Sequence, residues 1–318
     1  MGKYTDQMGI PFMKTAWLFP GQASQKVGMG RDLFEESDLG KAYFETANDI
    51  LGTDIQSIIF DGPEESLRQT QFTQPAIFIV STLLGGLLRQ RGHEPAAAAG
   101  HSLGEYSALA LGGAFDFKTG LEIVKIRALS MEKAGKMEPG TMAAIVGLDD
   151  KQIKSLCEQY NGDGVVVAAN YNSQNQIVIS GSTIAVKTLL QSAKEAGARM
   201  TIPLNVSGAF HSPLMTSARE ALAEKLNSLE ISDTKFPIYS NVDAKPISKG
   251  TDIKDALIRQ LENPVLWSES IANMVNNGFS SFVEVGPGKV LQGLNRRIDR
   301  KMTIIGVETH EQVLNYHV

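Results

Sequence analysis

Residues 96–110 read AAAAGHSLGEYSALA, and the order of residue types in this stretch points to one fold class. By propensity alone the alanine run suits a strand or a helix. It follows a helical pattern over 74–91, with Ile77, Val80, Leu84, Leu87 and Leu88 on one side. It precedes a glycine turn. Between those neighbours it reads as a short buried strand, since a parallel strand covered on both faces is apolar throughout. Strand, glycine turn and helix in that order predict an α/β architecture.

On either side of it, 16–20 reads as a strand that ends in a glycine turn, PGQASQ, and 117–134 as a helix burying Leu121, Val124, Ala128 and Met131. A second unit follows. Strands are expected at 141–147, 165–169 and 176–180, the last two joined by a polar turn, NYNSQN. Helices are expected at 149–160 and 184–197, and 198–204 returns to strand. The order β-α-β-β-α-β predicts a four-stranded sheet with both helices on one face. Pro139-Gly140 and Val206-Ser207-Gly208 bracket the unit, which marks it as an insertion. Beyond it, Ser212-Pro213 starts a helix reaching about Leu226, and 236–240 and 281–285 read as strands. The expected division is therefore a large domain in two parts, 13–138 and 207–312, with a small domain over 139–206 between them. The stretch before Lys14 reads as a frayed or extended start.

Composition bounds the function. Of 318 residues, 42% are apolar and 20% charged, as in a compact globule. The 30 basic and 35 acidic residues give a net charge of -5, with no basic stripe for nucleic acid. One cysteine, Cys157, excludes an internal disulfide framework and is read as part of the small domain's core. No uninterrupted apolar run reaches membrane-spanning length, and the N-terminal residues lack a signal-peptide pattern. A cytoplasmic monomer without a membrane or nucleic-acid partner is expected. No HExxH motif or thiolate cluster offers a metal site.

Gly100-His-Ser-Leu-Gly104 is a G-x-S-x-G pattern between strand and helix, the context of a nucleophile elbow. The competing reading is an ordinary glycine-bounded helix start. As an elbow it makes Ser102 the nucleophile and leaves the Leu103 N–H free for an oxyanion. A serine needs a base. Among five histidines, His211 in GAFHSP is favoured, at the exit from the inserted unit; the alternative is a surface loop histidine. No acid is selected as a third member. Asp243 and Glu284 stand at strand ends, and a backbone carbonyl would orient the imidazole equally well. Arg127 borders an apolar helical stripe. It either snorkels or pairs with a structural carboxylate, or receives a ligand carboxylate in its bidentate fork.

Together, FPGQASQ, GHSLGEY, IRALSM, NYNSQNQIVISG, GAFHSPLM, NPVLWSESI and VEVGPGKVL occur in the order found in the malonyl-CoA:acyl carrier protein transacylase family. The chain resembles that family over nearly its whole length, and is also similar to polyketide synthase acyltransferase domains. The resemblance implies an α/β-hydrolase-like large domain with an inserted ferredoxin-like small domain. It implies that Ser102 carries the acyl group, that His211 is base and then acid, and that Arg127 holds the malonyl carboxylate. Gln22 and Leu103 would form the oxyanion hole, the Gln260 carbonyl would orient His211, and Phe210 matches the malonyl-type variant. The implied donor is malonyl-CoA and the acceptor is phosphopantetheine on acyl carrier protein, with no permanently bound cofactor. Lys289, Arg296 and Arg297 are either part of a carrier docking surface or a solvated helix face. The alternatives to transfer into fatty acid synthesis are a polyketide-pathway acyltransferase, a serine thioesterase or hydrolase, and a noncatalytic relative. One departure stands out. The family's first loop reads GQGSQ, and Ala23 replaces its glycine here. A left-handed backbone at that position would cost alanine about 1 kcal/mol.

Overall fold

The computed structural model describes residues 14–317, so the expected extended start lies outside the described residues. The described residues begin with β1 (Lys14–Phe19), followed by the helices α1 (Arg31–Glu36), α2 (Asp38–Leu51), α3 (Ile55–Asp61) and α4 (Glu64–Leu67), and the long α5 (Thr70–Gln90). Next come β2 (Ala97–Gly100), α6 (Gly104–Gly112) and α7 (Phe117–Met137). The inserted unit comprises β3 (Gly140–Val146), α8 (Asp150–Glu158), β4 (Val166–Ser173), β5 (Gln176–Ser182), α9 (Thr183–Glu195) and β6 (Met200–Pro203). The chain closes with α10 (Thr216–Asn227), β7 (Ile238–Tyr239), β8 (Pro246–Ile247), α11 (Gly250–Gln260), α12 (Trp267–Asn276), β9 (Phe279–Val285), α13 (Val290–Ile298), β10 (Thr303–Val307) and α14 (His310–Leu314).

Among the described residues, ten strands form two sheets. The large sheet has the order β10-β9-β1-β2-β7-β8, parallel except for the β7–β8 pair. Its central strands β1 and β2 are buried almost throughout, as their apolar sequences require. The small sheet is antiparallel, in the order β4-β5-β3-β6. With α8 and α9 packed against it, this is the ferredoxin-like arrangement, beside an α/β-hydrolase-like large domain. Cys157 packs against the small domain's own apolar cluster, formed by Ile145, Ile153, Ile179 and their neighbours.

Local signals explain the boundaries. Asp116 caps α7 by accepting from the Thr119 N–H at 2.8 Å. Asp149 and Gln152 form a reciprocal capping box on α8. Helix α5 starts at Thr70, a turn earlier than expected, and carries Pro75 inside it as its sixth residue, where proline forgoes one backbone donor. It is the one helix among the described residues long and apolar enough to cross a membrane, with mean hydropathy 1.3, and 83% of that window is buried inside the protein.

The polar segment expected as the β4–β5 turn is mostly strand. Strand β4 runs on to Ser173, and Tyr171 donates to the Val265 carbonyl at 2.9 Å while Val265 donates to Ala169 at 2.8 Å. Those bonds tie the small sheet to the large domain. Asn170 and Asn172 therefore line the cleft between the sheets, where a polar strand residue is needed.

Candidate active site

At the end of β2 the chain turns sharply into α6. A Cβ on Gly100 would overlap the Gly104 carbonyl, and a Cβ on Gly104 would overlap the Phe19 carbonyl of β1. Only glycine permits this approach, so the two glycines of the motif are steric requirements. Ser102 between them has φ 51°, a left-handed conformation rare for serine. Asn241, in the turn after β7, holds the strained segment from both sides. Its Oδ1 accepts from the Ser102 N–H at 2.7 Å and its Nδ2 donates to the Gly100 carbonyl at 2.7 Å.

The Ser102 hydroxyl lies 2.8 Å from His211 Nε2, and His211 Nδ1 lies 2.9 Å from the Gln260 carbonyl. A carbonyl only accepts, so Nδ1 carries the ring proton. Nε2 is then a bare acceptor, and Ser102 donates to it. His211 is itself left-handed, with φ 57°. Two such residues in contact mark a site where the surrounding structure enforces the geometry. Burial, and then the positive charge of Arg127, push the His211 pKa down to about 3. The imidazole is thus neutral and able to take a proton throughout the ordinary pH range.

The two acidic candidates have other partners. Asp243 pairs with Arg259 at 2.7 and 3.1 Å. Glu284 is buried and accepts from the Leu291 and Gln292 N–H groups at 2.9 and 3.1 Å, at the start of α13. Neither touches His211.

Arg127 is fully buried at the base of the cleft. Its Nη1 donates to Gln74 Oε1 at 2.6 Å, and its Nη2 to Ser102 Oγ and Gln260 Oε1, both at 3.0 Å. Its guanidinium carbon sits 5.2 Å from the Tyr106 ring centre, a cation–π contact. All these partners are neutral. A buried guanidinium without a contacting carboxylate is costly, so this cation is poised for an anionic ligand.

The cleft above these groups has a volume of about 510 Å³. Gln22, Leu103, Met131 and Phe210 line it on the large-domain side, and Met142, Ala144 and Val178 on the small-sheet side. The N–H groups of Gly104, Glu105 and Tyr106 are taken by the carbonyls of His101, Ser102 and Leu103, whereas the Leu103 N–H has no partner among the described residues. Gly21 packs against the His101 carbonyl, which brings the Gln22 loop to the elbow. Ala23 does adopt the left-handed region, with φ 82°.

His101 points away from Ser102, toward Asn172 Oδ1 at 2.8 Å, and so bridges the two sheets. Lys289, the N-cap of α13, and Arg296 and Arg297 in its last turn are exposed, and Val290, Leu291 and Leu294 of the same helix line the cleft; Arg297 bonds Gln176. Among the described residues there is no cluster of three or more His, Cys, Asp or Glu suited to a metal. Sequence reading missed Asn241, Gln74, Glu105 and the Gln260 side chain. For Glu105 the available signal was a carboxylate inside an otherwise apolar helix.

The chain matches the family model described as acyl transferase domain over residues 16–312. It is 42% identical over 301 residues to the malonyl CoA-acyl carrier protein transacylase of Bacillus subtilis, covering 94% of this chain and 95% of that protein. The solved transacylase of Coxiella burnetii superposes with a TM-score of 0.92 at 38% identity, over 95% of this chain and 96% of that one. A malonyl-transacylase solved in complex with a type II polyketide synthase acyl-carrier protein gives 0.91 at 37% identity, over 95% and 98%. This chain belongs to the malonyl-CoA:acyl carrier protein transacylase family of acyl transferases.

Proposed function

We propose that the protein transfers a malonyl group from malonyl-CoA to the phosphopantetheine thiol of acyl carrier protein, supplying malonyl carrier protein for fatty acid synthesis. The carrying observation is the Ser102–His211–Gln260 chain of hydrogen bonds at the base of the cleft, with Arg127 beside the nucleophile. As Ser102 Oγ attacks the thioester carbon, its proton passes to His211 Nε2. The Gln260 carbonyl holds the imidazolium in place through Nδ1–H, the orienting task an acid performs in a triad. The tetrahedral oxyanion is stabilised by backbone N–H groups at Leu103 and in the Gln22 loop. Collapse breaks the C–S bond, and His211 returns the proton to the departing coenzyme A thiolate. The phosphopantetheine thiol then attacks the malonyl-serine ester, gives its proton to His211, and leaves as the malonyl thioester. That proton returns to Ser102 Oγ.

Arg127 receives the malonyl carboxylate. Its donor to Ser102 Oγ is then shared or re-aimed toward the ligand. An acetyl group offers nothing to this buried charge, so the arginine acts as a selector. Phe210 and the small-sheet residues bound the space beyond the carboxylate. The exposed cations of α13 would face an acidic carrier protein at the cleft mouth. The cleft between the sheets also supports the division of the chain into 13–138 and 207–312 with an insertion at 139–206, and the reading of a cytoplasmic enzyme follows from its substrates. A polyketide carrier is the second reading, favoured by the similarity to the transacylase solved with such a partner.

Intact mass after brief exposure to malonyl-CoA tests the reading. A malonyl adduct should form on the protein, vanish in Ser102→Ala, and discharge onto added carrier protein. Release of free malonate undiverted by carrier protein would instead identify a hydrolase.

A further inference from the structure

Beneath the serine and arginine lies a second carboxylate that the transfer mechanism does not use. Glu105 is 1% exposed, on the first turn of α6. Its Oε2 accepts from Gln260 Nε2 at 2.7 Å and from the Asn241 N–H at 3.3 Å. Its Oε1 is buried and has no hydrogen-bond partner. Gln260 in turn faces Arg127. The same amide that donates through Nε2 to Glu105 accepts through Oε1 from Arg127 Nη2 at 3.0 Å. Glu105 thereby fixes which end of the amide meets the guanidinium. A flipped Gln260 would turn an NH2 toward Arg127 and an oxygen toward the carboxylate, two repulsive contacts.

We infer that Glu105 is a positioning residue for malonyl recognition: through the Gln260 amide it balances the charge of Arg127, and it takes up a proton when the malonyl carboxylate arrives. This inference rests on the reading of Arg127 as the partner of that carboxylate. With the site empty, the ionised form of Glu105 is the near counter-charge to Arg127, one amide away. A bound malonyl group places a second anion on the same cation. Two buried carboxylates sharing one guanidinium cannot both stay ionised cheaply, so the pKa of Glu105 rises on binding. Oε1 can carry the proton without losing a hydrogen bond. Glu105 is already primed for this, because burial raises its pKa to about 7. The charged groups facing it are Arg127 from α7, which lowers its pKa, and Asp243 from the β7–β8 turn, which raises it. Tyr106, next to it on α6, has its pKa pushed up to about 12 by burial and stays protonated. Gln260 from α11 and Asn241 after β7 are neutral.

The sign is fixed by linkage. Binding that takes up a proton weakens as pH rises. The Ser102→Ala protein, which binds without being acylated, permits the test by calorimetry in buffers of different ionisation enthalpy. Malonyl-CoA should take up about half a proton more than acetyl-CoA at pH 7, and more at pH 8. The phosphates common to both ligands cancel in the difference. Its Kd should rise with pH between 7 and 8.5 while that of acetyl-CoA should not. In Ser102→Ala/Glu105→Gln, whose amide keeps the shape and an acceptor for Gln260, the excess uptake and the pH slope should both vanish. No excess uptake in the Ser102→Ala protein overturns the inference, with no need of the Glu105 variant. Excess uptake that persists after Glu105→Gln also overturns it. An Arg127→Ala change in the same background separates the two levels. Loss of malonyl preference there keeps the Arg127 reading standing whatever Glu105 does. Retained preference removes that reading, and this inference with it.

Discussion

The floor and the small-sheet wall of the cleft are made of different material. On the floor, Ser102, His211, Arg127, Gln260, Asn241 and Glu105 are joined by hydrogen bonds between 2.7 and 3.3 Å, and all but Ser102 are at least 97% buried. The wall offers Met142, Ala144 and Val178 beside the neutral amides Asn170, Asn172 and Gln176, and its one side-chain hydrogen bond to the elbow is the one Asn172 Oδ1 accepts from His101 Nε2. The floor holds charges and protons in fixed places. The wall sets volume. Substitutions on the two sides should therefore fail differently: floor changes should alter which acyl group reacts and at what pH, and wall changes should alter how well any acyl group is held.

Arg127→Ala should show the largest effect of this kind. Removing one partner of a buried charge pair costs about 3 kcal/mol, so kcat/KM for malonyl-CoA should fall on the order of 100-fold, while acetyl transfer holds or rises. Steady-state assays with both thioesters check this. A parallel fall for both would mean that Arg127 supports the site rather than selects. The second test is pH. His211 stays neutral far below pH 6.5, so serine malonylation at saturating malonyl-CoA should keep its rate from pH 8 to 5. A histidine of ordinary pKa would lose more than tenfold over the lower part of that range. Stopped-flow acylation reads the difference, and a limb near 6.5 would show that the burial of His211 is relieved in the complex.

Asn172→Ala probes the wall. It removes the His101 bridge without touching the dyad, and should lower kcat/KM several-fold for malonyl and acetyl groups alike, about 1 kcal/mol for one hydrogen bond. A loss confined to malonyl-CoA would break the division between floor and wall. The smallest effect is expected from Ala23→Gly. Relief of a left-handed alanine, about 1 kcal/mol, is largely offset by the freedom of glycine in the unfolded chain, so the net stabilisation should be at most about 0.5 kcal/mol, raising Tm by less than about 1 °C. Thermal denaturation measures it. Unchanged activity would show that the loop at Gln22 already holds its working shape.

The legibility of the two regions in sequence follows the same division. Strand β2, the elbow and α6 were readable because all their causes lie within fifteen residues: apolar run, paired glycines, helix start. The small sheet was readable because β-α-β-β-α-β is a local order of elements. Its one misplacement, the polar run ending β4, arose because Asn170 and Asn172 serve a cleft rather than solvent. Ser102 and His211 were identifiable as residue types, but Asp243 and Glu284 could not be separated from a backbone carbonyl. A carbonyl carries no residue signature, and Gln260 joined the set only through resemblance. Asn241, Gln74 and Glu105 act through contacts with segments distant in sequence or through burial, and a neutral amide does not advertise itself in a sequence.

The clamp of Asn241 on the elbow has a consequence for synthesis. Ser102 is held in its left-handed conformation by a side chain that lies 139 residues further along the chain. His211 follows the serine by 109 residues, and its orienting carbonyl comes 49 residues later still. At ribosomal rates the clamp emerges on the order of ten seconds after the serine. Until then the nucleophile is an ordinary hydroxyl on a relaxed turn. A nascent or truncated chain therefore carries the full elbow motif with no acylating power, and reactivity toward thioesters begins only when the C-terminal third has docked.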